Sequence, residues 1–202
     1  MQKRGIQDLK WAEVAKLDIG GWKGPKFAGQ RVPRMTGVYR ILQQHPRRRL
    51  YIDIKNVDLE QLAQEAREAR VTSRLILAST DYAIIRRWKQ LSPDSSTLHW
   101  MGGAEDVLAG RIAELRKTNF DSITQLQIHV RVKDGVMSPS PGFLLKTGAE
   151  LRKHGILFQT LPWQSNDPSL FRRLMDLGSA SFATDYPDVL MKTIRGYYAE
   201  KR

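Results

Sequence analysis

Six apolar, strand-like segments recur through the second three quarters of the chain, each followed by an amphipathic helical segment, at spacings of roughly 25–30 residues. This alternation is the feature that most constrains the fold. Strands separated by whole helices cannot close as hairpins and pair in parallel. The spacing predicts strands at 50–56, 74–79, 97–101, 125–132, 156–163 and 180–183. The intervening helices fall at 57–70, 82–91, 104–117, 143–154, 169–177 and 189–201. Residues 133–142, rich in Pro, Gly and Ser, read as a loop. Gly155 and Gly178 stand where helix C-caps belong.

Residues 1–49 read as a helical connecting segment. Leu9, Trp11, Val14 and Leu17 give one apolar face, with Asp8 as N-cap. Gly20 to Pro25 breaks it, and a second short helix around Met35–Leu42 follows Pro33 and closes at His45-Pro46. A (β/α)₈ barrel needs eight strands, typically in about 250 residues. The chain has 202 residues. It is therefore expected to be an α/β protein, an incomplete TIM (β/α)₈-type barrel with a parallel sheet and six of the eight units. It is read as one domain over 1–202. A doubly wound open sheet is the alternative, but no Gly-x-Gly-x-x-Gly follows a strand.

Composition narrows the partners. The chain is 41% hydrophobic, enough for a sizeable core. It has no cysteine, which excludes disulfides and thiolate metal sites. No apolar run approaches the ~20 residues of a membrane span, and Met1 to Gly5 leads into no signal-peptide core. As written, the chain is expected to be soluble and cytoplasmic, and any export signal would lie upstream of Met1. Lys plus Arg number 33 against 21 Asp plus Glu, a formal net charge of +12. Such a surplus favours anionic partners. The basic residues are scattered, with only Arg47-Arg48-Arg49 in a run. Nucleic acid is thus the weakest reading, with net charge alone behind it.

In a barrel the active face lies at the C-terminal ends of the strands. Those ends carry Asp53, Lys55, Ser79, Trp100, His129, Arg131, Trp163, Asn166 and Asp185. Leu50, Ile52 and Ile54 alternate with Tyr51, Asp53 and Lys55, so Asp53 and Lys55 share one face. On these residues alone a plain Asp–Lys ion pair on a solvated face is the preferred account, ahead of a site for a cation and an anion. Asp185, in Thr-Asp-Tyr-Pro, reads as a turn former. Among the histidines, His45 and His154 read as structural, and His99 could face either side. His129 shares a face with Gln127 and Arg131 and is the best candidate for a substrate contact. No nucleophile elbow, phosphate loop or His-Glu-x-x-His helix is present.

Several segments, in order and over nearly the whole chain, carry a family likeness. They are Leu17-Asp18-Ile19-Gly20-Gly21-Trp22 with Phe27-Ala28-Gly29 and Val32-Pro33; Ile52-Asp53-Ile54-Lys55; Ala78-Ser79-Thr80; Trp163-Gln164-Ser165-Asn166; and Leu177-Gly178 followed by Ala183-Thr184-Asp185-Tyr186-Pro187. On these the chain resembles the C-terminal three quarters of the glycerophosphodiester phosphodiesterase family, metal-dependent hydrolases built on a (β/α)₈ barrel. The resemblance implies Asp53 as a metal ligand, Lys55 on the phosphate side and Trp163 as an aromatic wall. His129 and Arg131 join Lys55 and Trp163 as substrate-binding candidates. The implied cofactor is a divalent cation, Mg²⁺ or Ca²⁺, and the implied substrate a small anionic phosphodiester of lipid metabolism.

The departures set a second expectation. The family's His-Arg, Glu-x-Asp and His-Asp motifs, which supply its catalytic histidines and two of its three metal carboxylates, do not occur in this sequence. Asp53 stands where the family has Glu, one methylene longer. The chain by itself is therefore expected to hold the cation weakly or not at all and to lack proton-transfer groups. A non-catalytic phosphate-ester-binding or interaction module is the alternative function. Edges at 50–56 and 180–183 would favour self-association or a partner strand.

Overall fold

The computed structural model describes residues 5–201. They divide into two compact units, one from the residues up to Arg48 with Gln64–Val71, the other from Arg49–Ala63 with Thr72 onward.

The first unit is built mostly from short pieces. A 3₁₀ turn, Ile6–Asp8, precedes α1 (Trp11–Val14), and 3₁₀ turns at Gly21–Lys23 and Pro25–Phe27 lead to α2 (Met35–Gln44). The expected helix over Leu9–Leu17 is cut to four residues. Asp8 does not cap it; its carboxylate accepts from the Gly5 N–H at 2.8 Å, while Glu13 accepts from Lys10 N at 2.8 Å and closes the start of α1. Asp18 organises the segment that follows the helix. Its carboxylate collects the N–H groups of Gly20 at 2.8 Å, Gly21 at 2.9 Å and Gly29 at 2.8 Å, an alternative to helical bonding typical of aspartate. Residue 20 has to be glycine there, because a Cβ would sit 2.0 Å from the Phe27 carbonyl oxygen. Tyr39 and Leu42 bury one side of α2. Burial raises the Tyr39 phenol, helped by the charge of Glu65.

The second unit holds the sheet. Its strands are β1 (Leu50–Asp53), β2 (Leu75–Ser79), β3 (Ser96–Met101), β4 (Gln125–Lys133), β5 (Val136–Ser138), β6 (Leu157–Pro162) and β7 (Ser181–Phe182). The order is β1-β2-β3-β4-β6-β7, all parallel, with β5 added antiparallel to β4. Helices α3 (Leu59–Glu68), α4 (Tyr82–Leu91), α5 (Glu105–Lys117), α6 (Pro141–Lys153), α7 (Pro168–Asp176) and α8 (Pro187–Ala199) alternate with the strands. This is the expected parallel α/β half-barrel. None of the helices is long and apolar enough to cross a membrane.

Three details differ from expectation. The strand beginning at Leu50 pairs only to Asp53, with a last bond from Ile54 N to the Ala78 carbonyl at 3.4 Å, so Lys55 lies beyond it. Residues 133–142 are not all loop: Asp134-Gly135, both at positive φ, turn β4 back into β5 as a hairpin. Helices α6 and α7 start at Pro141 and Pro168, capped by Ser140 and Asp167. Proline suits a first helical position, where no N–H is needed.

Which face meets the helices is fixed at α6. A Cβ on Gly148 would lie 2.9 Å from the Phe158 ring, so Phe158 faces the helices. Through the register, Leu126, His99 and Ser79 share that side. Leu75, Leu77, Ile128 and Val130 complete the buried layer, with Ile85 and Trp88 of α4 fully enclosed. Burial of each such side chain is worth about 1.5–3 kcal/mol. The alternate residues line the concave face: Asp53, Ala78, Leu98, Trp100, Gln127, His129 and Gln159.

The Asp18 cluster makes a direct prediction. Three N–H donors hold its carboxyl at about 2, below the ordinary 3.8. Its contribution to loop order is complete above pH 3.8 and disappears as the pH falls through about 2. The amide resonances of Gly20, Gly21 and Gly29 should titrate together with a midpoint near 2. A midpoint at the ordinary value would show that the cluster does not form.

Candidate functional site

Asp53 ends β1, and Lys55 follows two residues later on the same face. They form an ion pair, Nζ to Oδ2 at 2.8 Å, with side chains 44% and 75% exposed for Asp53 and Lys55. An exposed pair of this kind contributes about 0–1 kcal/mol. It therefore costs little to open toward a ligand.

The more enclosed feature lies across β2, β3 and β4. A cavity of about 530 Å³ opens at their C-terminal ends, with Trp100, His129 and Arg131 from the strands, Gly102 and Gly103 from the loop after β3, and Arg111 from α5. Its aromatic side is a continuous stack. Trp100 and His129 lie parallel, with centroids 5.3 Å apart and planes at 3°. Trp163 follows, tilted, 5.7 Å from His129. The Arg131 guanidinium sits 5.3 Å from the Trp163 ring centre, within cation–π range. Gly102 permits the arrangement, because a Cβ there would meet His129 Nδ1 at 3.0 Å. Burial and the neighbouring Arg131 charge push the His129 imidazole below its ordinary pKa.

Three of the five sequence candidates, His129, Arg131 and Trp163, are thus brought together. Asp53 and Lys55 make their own pair at the end of β1. Ser79 is structural: its hydroxyl accepts from Asp81 N at 3.0 Å and its carbonyl faces His99 at 3.1 Å. His154 packs against Phe120, with ring centres 4.8 Å apart, at the end of α6.

Arg111 was not among the sequence candidates. Its Nη2 donates to the Thr80 carbonyl at 3.0 Å, to the Thr80 hydroxyl at 3.1 Å and to His99 Nε2 at 3.3 Å. This sets the tautomer of His99, which must carry its proton on Nδ1 to donate to Ser79 and leave Nε2 to accept. His99 is 2% exposed. Burial, then the Arg111 charge, bring its pKa from 6.5 down to about 4. The signal was present in the sequence: Leu108, Arg111, Ile112 and Leu115 occupy i, i+3, i+4 and i+7, an arginine inside a buried stripe.

The donor set is poor for a divalent cation. Hard cations take six or more oxygen ligands, usually from several carboxylates. Asp53 is one carboxylate already bonded to an ammonium. Among the described residues no three His, Asp or Glu side chains converge as a metal site. These residues alone do not fit such an ion.

The His99 assignment predicts a stability window. A group neutral in the fold with a lowered pKa loses stability as the pH falls from 6.5 toward about 4, because the unfolded chain takes up the proton first. At about 1.4 kcal/mol per pH unit the loss is on the order of 3 kcal/mol. Denaturant unfolding of His99→Gln should lack this part of the acid dependence. The same slope in variant and parent would overturn the assignment.

Comparison with known proteins accords with this geometry. The family model for the glycerophosphoryl diester phosphodiesterase family matches residues 1–189. Bacillus subtilis YhdW, a protein named for glycerophosphodiester phosphodiesterase activity, is 24% identical over 200 residues, covering 93% of this chain and 72% of its own. A glycerophosphodiester phosphodiesterase structure from Parabacteroides distasonis superposes with a TM-score of 0.64 at 17% identity, covering 98% of this chain and 74% of that one. An Oleispira antarctica phosphodiesterase, solved with its product sn-glycerol-3-phosphate, gives a TM-score of 0.65 at 20% identity over 94% of this chain and 72% of that one. A match running through β1 to the start of α8 is decisive, and the chain belongs to the glycerophosphoryl diester phosphodiesterase family.

Proposed function

We propose that this chain binds a glycerophosphodiester at the C-terminal ends of its strands and serves the hydrolysis of that diester to a glycerol phosphate and an alcohol, as part of lipid metabolism. Family membership supports the reaction class. The observation that carries the binding is the gathering of His129, Arg131 and Trp100 at one cavity at the strand ends, with Trp163 packed against His129 and Arg131.

In this reading Lys55 leaves its exposed pairing with Asp53 to hold the phosphate oxygens. A charge-assisted bond of that kind is worth about 1.5–3 kcal/mol. Asp53, freed, would be a single carboxylate toward a divalent cation, Mg²⁺ or Ca²⁺, whose other ligands the described residues do not supply. The stack of Trp100, His129 and Trp163 receives the alcohol portion, with Arg131 beside it. His129 orients substrate as a neutral imidazole; no proton transfer is assigned to it.

A second reading is supported by the Asp53–Lys55 pair itself. Asp53 and Lys55 satisfy each other at 2.8 Å. A module that binds phosphate esters without cleaving them needs only the lysine and the cavity.

One experiment separates the two. Release of sn-glycerol 3-phosphate from glycerophosphodiesters is followed with Mg²⁺ or Ca²⁺, and binding of sn-glycerol 3-phosphate is titrated by calorimetry. Hydrolysis abolished by Asp53→Ala supports the enzyme. Binding without hydrolysis supports the module. In either case Lys55→Ala should weaken sn-glycerol 3-phosphate about tenfold, or about 1.4 kcal/mol. Absence of both binding and hydrolysis would reject both readings.

A further inference from the structure

We infer that the cavity between Arg111 and Arg131 is an anion-selective subsite, which takes a phosphorylated polyol as the alcohol portion of the substrate in preference to choline or ethanolamine. The inference rests on the reading of the strand ends as a phosphodiester site and adds the identity of the leaving group.

Charge is the first ground. Arg86, Arg87, Arg116 and Arg172 form ion pairs with carboxylates. Among the described residues Arg111 and Arg131 have no such partner. Arg111 is held by a carbonyl, a hydroxyl and an imidazole, all neutral, which fix its direction without compensating its charge. Arg131 has the face of Trp163. Glu105 and Asp81 bond backbone N–H groups, of Ser140 at 2.6 Å and of Ala83 at 2.8 Å, and neither forms an ion pair with Arg111 or Arg131. For the half-buried Arg111 a guanidinium without an anion is costly, and an incoming phosphate removes that cost. Planar guanidinium groups also match phosphate oxygens in pairs.

The second ground is charge exclusion. A quaternary ammonium brings a positive charge toward two arginines and offers no hydrogen-bond donor to Thr80 or Ser138, which line the cavity with them.

Size is the third. A volume of about 530 Å³ accommodates a phosphorylated three- to six-carbon polyol and lies within the usual range for small-molecule sites. The flat Trp100–His129 wall can cover the carbon skeleton.

The test is a set of calorimetric titrations of the whole chain with sn-glycerol 3-phosphate, glycerol 1,3-bisphosphate, glycerophosphocholine and sulfate. The bisphosphate should bind at least about tenfold more tightly than sn-glycerol 3-phosphate, and glycerophosphocholine no better than the monophosphate. In Arg131→Gln and in Arg111→Lys the ratio of bisphosphate to monophosphate affinity should fall about tenfold. Two variants are used because Arg111 also braces His99, whereas Arg131 is exposed and its replacement leaves the fold intact. An unchanged ratio in Arg131→Gln, or sulfate binding as tight as the bisphosphate, overturns the subsite. Stronger binding to vesicles carrying a phosphorylated inositol headgroup than to the soluble bisphosphate also overturns it, since the proposal is for a soluble ester. Lys55-dependent binding of sn-glycerol 3-phosphate with no bisphosphate advantage would defeat this inference alone and leave the phosphodiester reading in place. Arg-dependent bisphosphate binding without Lys55 dependence would do the reverse.

Discussion

The parallel register of β3, β4 and β6 is the constraint on which the candidate site depends. It pairs Trp100 with Gln127, Gln127 with Gln159 and His129 with Leu161. Because side chains alternate, a slip of one residue in β4 would turn His129 and Arg131 toward the helices and bring Ile128 and Val130 into the cavity. That error is strongly opposed, since Leu126, Ile128 and Val130 are fully buried on the helix side. The apolar alternates thus fix the polar ones. The same logic weakens toward β1, which has one neighbour and four residues. The cavity stands on the best-paired strands, and the Asp53–Lys55 pair stands at an edge where local opening is easiest.

His99 ties the helix layer to the cavity wall. Its Nδ1–H satisfies Ser79 at the end of β2, and its Nε2 receives Arg111 from α5. Only the neutral ring can do both, and burial keeps it neutral. One buried imidazole therefore joins two strands to a helix and aims an arginine at the cavity. The surface arginines are different in kind. Arg116 with Glu150 and Arg172 with Glu200 are bidentate but largely solvated, and such pairs contribute little.

Much of this was legible in the sequence for a physical reason: apolar alternation encodes which residues share a face. Asp53, Lys55, His129, Arg131 and Trp163 could each be placed at a strand end. Their lateral grouping could not be read, because strand order and stagger arise from tertiary packing. Arg111 was hidden because residues in a helix were read for packing, although a charge within Leu108, Ile112 and Leu115 was a visible anomaly. The hairpin after β4 was hidden by its Pro, Gly and Ser content, which outweighed the Asp134-Gly135 turn signal. Asp18 was placed in a connecting segment, but nothing local indicated that it would reach as far as Gly29.

The concave face also departs from what stability alone would select. Barrel interiors are usually filled by branched aliphatic side chains. Here two glutamines sit side by side in register, 4% and 7% exposed for Gln127 and Gln159. Gln159 donates to the Ser181 hydroxyl at 2.9 Å, yet the Oε1 atoms of both are buried and receive no hydrogen bond from the protein. Each such acceptor costs about 1–3 kcal/mol against a satisfied one. The helix-facing layer shows that the sequence can supply apolar residues wherever packing is the only demand. The amides beside Trp100 on the concave face therefore carry a cost that packing alone does not explain.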